Sequence, residues 1–519
     1  MTSSERRLHP SSIIFSLTGE IRALLVPGLL VLVTANAAGR GWDTWLVWLL
    51  VPYTAIAVGR YLTFRYRYDD EDLVIRSGFI FRNERHIPYS RIQNVDSVQN
   101  VFQRLLGVVV VRVHTGGTAE VEATLSVLPL EGLDEMRRRV LQSRRADTLA
   151  GSAESVPIAV GGAEAVAPAA IVEDARVLLH LSWRDILFAG IIHNYGAVIV
   201  AAGIGLLWEL GLGERAMGAV FGGRTWGGGV IRDLVRAFFT GAPIPVARIG
   251  ALLAALAVFF VLLRAVSILI GIVRLHGFRL TRSGEELRTE FGLFTRVSAT
   301  IPLRRVQALS ISEGPWHRWL GRVSIAVSTA GGGASTGGEA GQGQAREAIA
   351  PIVPTADAPA LVAEVLPGVS IDTLPWRPVE ARARRREFIQ GAAGLLPLTI
   401  PFTWRPGWWL LIVVVGLVAW AALLAWRQVP AMRWAMTDDV VAYRSGWIWR
   451  HITIVRFTRA QAVSMHESPF DRRAAMASVR VDTAGATDHP IAIPYLSRAD
   501  ADRLHATISS RIAETRFAW

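Results

Sequence analysis

One phrase occurs three times in this chain. It reads IPYSRIQNV at 87–95, IPLRRVQAL at 301–309 and, in worn form, VRFTRAQAV at 455–463. When the three segments are aligned on a common glycine (Gly78, Gly292, Gly446), an arginine follows four places on as Arg82, Arg296 and Arg450. At thirteen places stand Arg91, Arg305 and Arg459, and at fifteen Gln93, Gln307 and Gln461. Nine places past the glutamine an aromatic recurs (Phe102, Trp316, Phe470), and at eleven an arginine (Arg104, Arg318, Arg472). Gap-free matching through segments of mixed composition marks an internal threefold repeat, which restricts the chain to three versions of one unit.

Each repeat alternates polar and β-branched residues, as in DLVIRSGFIFR and VVVVRVHTGG, and so predicts strands. Each ends in helical spacing, at 130–143, 357–366 and 497–512. The expectation is a small β-barrel or sandwich closed by one C-terminal helix.

Between the repeats lie apolar runs. Six are candidate membrane spans, at about 23–39, 44–62, 186–209, 249–273, 388–403 and 408–426, since crossing a bilayer takes roughly 20 apolar residues. The short links RGWD and WRPG suggest helical hairpins. Hairpins at 1–63, 176–274 and 369–428 then alternate with domains at 64–145, 275–368 and 429–519, with an Ala/Gly/Ser/Pro linker at 146–175. Arginines such as Arg60, Arg65, Arg274 and Arg427 crowd the side of the spans that carries the repeats, which predicts that both termini and all three domains are cytoplasmic.

The chain has no cysteine, and all 55 of its basic residues are arginine. Disulfides, thiolate catalysis and lysine Schiff-base chemistry are therefore excluded. A net charge of +12 fits anchoring beside anionic lipid better than nucleic-acid binding, because the arginines cluster next to spans. The 11 histidines form no metal-type spacing, and no catalytic signature is present, so no cofactor, metal or enzymatic activity is expected.

The pattern GxxxR, IPxxRIQ, RxxG, TGG resembles the bacterial pleckstrin-homology-like family of YdbT-type membrane proteins. That resemblance implies hairpins alternating with seven-stranded PH-like barrels, each capped by a helix, in a bacterial inner membrane. With the six spans, the expected fold is six transmembrane α-helices as three hairpins alternating with three PH-like β-barrel domains, each closed by a C-terminal helix. The resemblance also implies a partner protein, with a shorter one-domain relative as the candidate. The third repeat departs from the pattern, with Arg456 in place of the proline and Ala475 where the other repeats have Gly107 and Gly321.

The repeated Arg and Gln positions carry two readings: support of turns, or a basic face toward lipid phosphate, for which the guanidinium fork is suited. His193 and Arg264 form a candidate polar pair at similar depth in neighbouring spans, either packing the helices or relaying charge. The functional expectation is a non-enzymatic membrane scaffold whose domains bind lipid headgroups or partner proteins. The alternative is a transporter or channel with regulatory PH-like domains, which the near absence of ionisable residues in spans one, two, five and six disfavours.

Overall fold

The computed structural model describes residues 6–7, 63–77, 82–115, 123–153, 176–196, 200–203, 205, 246–330, 348–395, 397, 399, 408–484 and 491–514. The first repeat holds β1 (Arg6–Arg7), β2 (Arg65–Tyr68), β3 (Asp72–Ser77), β4 (Asn83–Pro88), β5 (Ile92–Gln99), β6 (Val108–Thr115) and β7 (Ala123–Pro129). The second holds β8 (Arg176–His180), β9 (Arg279–Ser283), β10 (Glu286–Phe291), β11 (Arg296–Pro302), β12 (Val306–Glu313), β13 (Arg322–Thr329) and β14 (Ala348–Pro354). The third holds β15 (Arg377–Pro378), β16 (Arg433–Met436), β17 (Val440–Ser445), β18 (Arg450–Arg456), β19 (Ala460–His466), β20 (Met476–Thr483) and β21 (Ile491–Ser497).

Within each repeat the first four strands form one antiparallel ladder and the last three another. The repeated phrase is the corner between them. Its centre is a one-turn 3-10 helix at Tyr89–Arg91, Leu303–Arg305 and Phe457–Arg459, entered through Pro88, Pro302 or Arg456 in the same extended conformation. Arg456 fits there because its φ of −78° lies close to the value that proline imposes.

Ladders of neighbouring repeats merge. β11 pairs with β5 as well as β10, and β18 pairs with β12 as well as β17, so two seven-stranded sheets each span a repeat boundary. A four-stranded sheet (β1 to β4) and a three-stranded sheet (β19 to β21) remain at the two ends. The expected closed β-barrels are thus corrected to open sheets. Of the strands flanking the corners, β5, β11, β12 and β18 turn their free edges to an adjacent repeat, where main-chain groups find partners that closure would otherwise have supplied.

Three apolar cores form, the second taking in Ala435, Val440, Ala442 and Ile454 of the third repeat, and each is closed by a C-terminal helix. Helices α1 (Val101–Leu105) and α2 (Leu130–Ala153) belong to the first repeat, and Met136 of α2 is fully buried. The second hairpin supplies α3 (Trp183–Ile192) and α4 (Val246–Leu275). The second repeat then adds α5 (Pro315–Trp319) and α6 (Ala358–Val365), with Val362 inside its core. After α7 (Ala383–Leu395) and α8 (Trp408–Gln428), the third repeat has α9 (Pro469–Arg473) and α10 (Arg498–Glu514), which buries Leu504 and Ile508.

The expectation of six transmembrane helices is also corrected. Among the described residues two stretches, Leu256–Leu275 and Leu410–Ala431, are long and apolar enough to cross a membrane. Expected spans 23–39 and 44–62 lie outside the described residues. In the other two, 186–209 and 388–403, the described helices α3 and α7 have 10 and 13 residues. At 1.5 Å rise per residue they are about 15 and 20 Å long, short of a hydrocarbon core of about 30 Å.

Each apolar segment interrupts a sheet. β1, β8 and β15 precede these segments or lie at their start, yet pair with β2, β9 and β16, which follow them. The first strand of each ladder is therefore separated from its partner by the apolar segment.

Candidate functional site: the seams between repeats

The two inter-repeat pairings share one register. Counting from the repeat glycine, position 4 of a repeat lies opposite position 21 of the repeat before it: Arg296 faces Gln99, and Arg450 faces Glu313. At the second seam this juxtaposition is an ion pair of 3.2 Å. At the first, Arg296 turns instead to Glu290 in its own repeat, 2.7 Å away. The repeat glycine makes the preceding turn. Gly292 and Gly446 have φ of 112° and 85°, and a Cβ would stand 1.9 Å from the Thr295 carbonyl oxygen or 1.7 Å from that of Trp449.

A second repeated arginine staples the same seams. Arg318 Nη1 and Nη2 donate to the carbonyls of Trp447 and Ile448 at 3.1 and 2.9 Å. Arg104 Nη2 donates to the Leu293 carbonyl at 3.4 Å. The accepting groups belong to the turn just after the next repeat's glycine. Arg456 adds a further link, donating to the Pro367 carbonyl of the second repeat at 2.6 Å.

The remaining candidates divide by exposure. Arg305 donates to the Ala330 carbonyl, and buried Gln307 donates to the Arg305 carbonyl at 3.3 Å, so both hold the corner. The side chain of Gln93 lies outside what is described. Gln461 is exposed on β19, which among the described residues pairs with β20 alone. Arg82, Arg91 and Arg472 are exposed, and Arg459 ends its corner turn with its pKa lowered by burial and by neighbouring Arg456.

One repeated position escaped the sequence comparison because its residue type changes. Gln103, His317 and Asp471 are all buried, and each closes the first turn of its short helix, α1, α5 or α9, by accepting the main-chain N–H of the residue three before it. The usable signal was the capping spacing in Asn100-x-x-Gln103 and Ser468-x-x-Asp471. Since Gly314 N–H donates to His317 Nδ1, the other ring nitrogen carries the proton and donates to Ser324 Oγ at 2.9 Å, which donates on to the Pro351 carbonyl. Burial, with a smaller contribution from His193, pushes the His317 pKa down to about 4.

Ion pairs fasten two hairpin helices to their domains with the signs exchanged. Asp185 of α3 meets Arg322 of β13 at 2.6 Å, whereas Arg386 of α7 meets Asp471 of α9 at 3.4 Å. His193 and Arg264 lie where α3 ends against α4. Arg264 Nη1 donates to the Ile191 carbonyl at 2.8 Å, and Ser267 Oγ donates to the His193 carbonyl at 2.5 Å. Arg264 thus lies at the negative end of the α3 dipole. The His193 ring stacks on Tyr195 at 5.1 Å and meets the His317 edge at 5.8 Å, joining hairpin and domain.

The sequence pattern of the family described as Bacterial PH domain matches residues 20–144, 236–368 and 391–512, most of the chain. The chain belongs to the bacterial PH domain family. It is similar to the UPF0699 transmembrane protein YdbT of Bacillus subtilis (strain 168), with 22% identity over 486 residues that cover 91% of each chain. No solved structure matches it. The protein is a membrane protein with repeated PH-like domains. In bacterial PH terms, position 26 of the repeat (Arg104, Arg318) serves the seam between domains. Arg82, Arg91 and Arg472 remain exposed to solvent.

Proposed function

We propose that this protein is a non-enzymatic, multi-pass membrane scaffold that presents a rigid row of three PH-like domains on the cytoplasmic side, with exposed arginines that bind anionic lipid headgroups. The observation that carries this reading is the pair of seams in one register, which locks consecutive domains edge to edge. Such a row suits holding positions along a membrane. Pairing of β8 with β9 and β15 with β16 supports apolar segments whose two ends lie on one face. Arg82, Arg91 and Arg472 supply the basic surface that the two seams within the chain do not use.

Near an anionic leaflet each such arginine contributes on the order of 1 kcal/mol, screened by salt. The test is the amount of anionic lipid that co-purifies with the full chain from native membranes at low and high salt. Combined Arg82→Gln, Arg91→Gln and Arg472→Gln replacement should reduce it at unchanged melting temperature. Equal lipid content in both proteins would overturn lipid binding and leave a protein partner as the ligand. Reporter fusions after Thr355 and Trp519 should read as cytoplasmic; a periplasmic signal from either rejects the orientation.

A further inference from the structure

β5 and β12 each have a neighbour on both edges, the outer one supplied by the following repeat. β19 occupies the same place in the third repeat, and among the described residues it pairs with β20 alone. At the other end of the chain β4, equivalent to β11 and β18, pairs among the described residues with β3 alone. The two ends of the row are therefore the two halves of a seam.

Exposure agrees with that reading. The first four residues of β12 are buried, whereas Gln461, Ala462, Ser464 and His466 of β19 are exposed. On β4 the stretch Asn83 to His86 is exposed, while Val297, Ser298 and Ala299 at the matching positions of β11 are buried. We propose that the row continues between molecules: β19 of one molecule pairs antiparallel with β4 of a second copy of this chain, in the register of the internal seams.

That register places Arg82 opposite Glu467 and Asn83 opposite His466. The first pairing restores the basic–acidic juxtaposition that Arg450 and Glu313 make inside the chain at 3.2 Å. In one molecule Glu467 meets Arg498 of its own repeat, so a contact with Arg82 of a second copy would share or replace that partner. Arg472 holds the position from which Arg318 reaches the turn of the next repeat, and within the chain no repeat follows it. Main-chain bonds along an added strand supply attraction, while the charges on β4 discourage indiscriminate partners and select an edge with Glu467 at its end. Each molecule offers one edge of each kind, so the contact is head to tail and builds rows or rings within one membrane. The proposal does not rest on lipid binding; in such a row Arg82 and Arg472 serve the seam, and of the three exposed arginines Arg91 stays available to headgroups.

The absence of cysteine makes a direct test possible. Opposed residues in an antiparallel pair have Cβ atoms about 4.5–5.5 Å apart, within adjustment range of a disulfide. Differently tagged Asn83→Cys and His466→Cys chains, full length and co-expressed, should give a mixed disulfide dimer when isolated membranes are mildly oxidised. Asn83→Cys with Gln461→Cys, five positions out of register, should not. Arg82→Glu should reduce the mixed dimer several-fold, and Glu467→Arg in the partner chain should restore it. Both cysteine sites are exposed, so melting temperatures should match the parent. Absence of the mixed dimer in proteins of parental stability overturns the proposal. So does a dimer formed by either single variant alone, which would mean like-with-like pairing.

Discussion

The guanidinium of Arg318 caps the main-chain carbonyls of Trp447 and Ile448, 3.1 and 2.9 Å away across the boundary between the second and third repeats. A side chain of one domain thereby completes the turn of the next.

Replacing Arg318 by Gln removes both bonds from part-buried carbonyls. A loss of about 1–3 kcal/mol is expected, together with faster amide exchange through 446–456. The single, longer bond from exposed Arg104 to Leu293 should contribute less, so Arg104→Gln should lower the melting temperature by a smaller amount. Equal effects would deny the difference in geometry.

His317 should make stability depend on pH. Its pKa in the fold is about 4, below the ordinary 6.5, because burial disfavours the cation. The neutral ring is the form the fold accepts, so its contribution is complete above about pH 6.5, falls as pH drops below that value and levels off below about 4. The pKa difference corresponds to at most about 3 kcal/mol. Denaturation at pH 7 and pH 4.5 should reveal the loss, and His317→Gln, which imitates Gln103, should reduce that pH dependence.

Ala475 has φ of 52°, the conformation adopted by Gly107 and Gly321 at 66° and 62°. A left-handed backbone costs a non-glycine residue roughly 1–2 kcal/mol, partly offset by the larger unfolded entropy of glycine. Ala475→Gly should therefore stabilise the third repeat by about 0.5–1 kcal/mol in thermal denaturation. Gly446→Ala, which drives a methyl into the Trp449 carbonyl, should cost about 3 kcal/mol or more.

The ion pairs that tie hairpin to domain predict local loosening. Arg322→Gln leaves Asp185 largely buried without its cation, and Arg386→Gln does the same to Asp471. Each should cost about 1–3 kcal/mol. The gain in amide exchange should centre on 183–192 for the first and 383–395 for the second; a uniform change across the chain would count against a local clamp.

Much of this was legible in the residues. The threefold spacing foretold that Arg82, Arg296 and Arg450 stand at equivalent places, and alternation foretold the strands. Partnership was not legible: nothing in the composition of β12 says whether its outer edge meets β11 or β18, because main-chain groups are the same in either pairing. Two-residue strands such as Arg6–Arg7 and Arg377–Pro378 are too short for a periodic signal. The buried position shared by Gln103, His317 and Asp471 was hidden by its changing chemistry, although the capping role is constant. Hydropathy reported apolar length but not where a helix stops, as at Ile192, where Arg264 and Ser267 take up the carbonyl ends.

The shared register has a consequence for how such chains can grow or shrink. Both seams place position 4 against position 21, so excision of the middle unit would bring Gln99 against Arg450 in the same register. Domain number is then a free variable, open to duplication or loss without a new interface having to be invented.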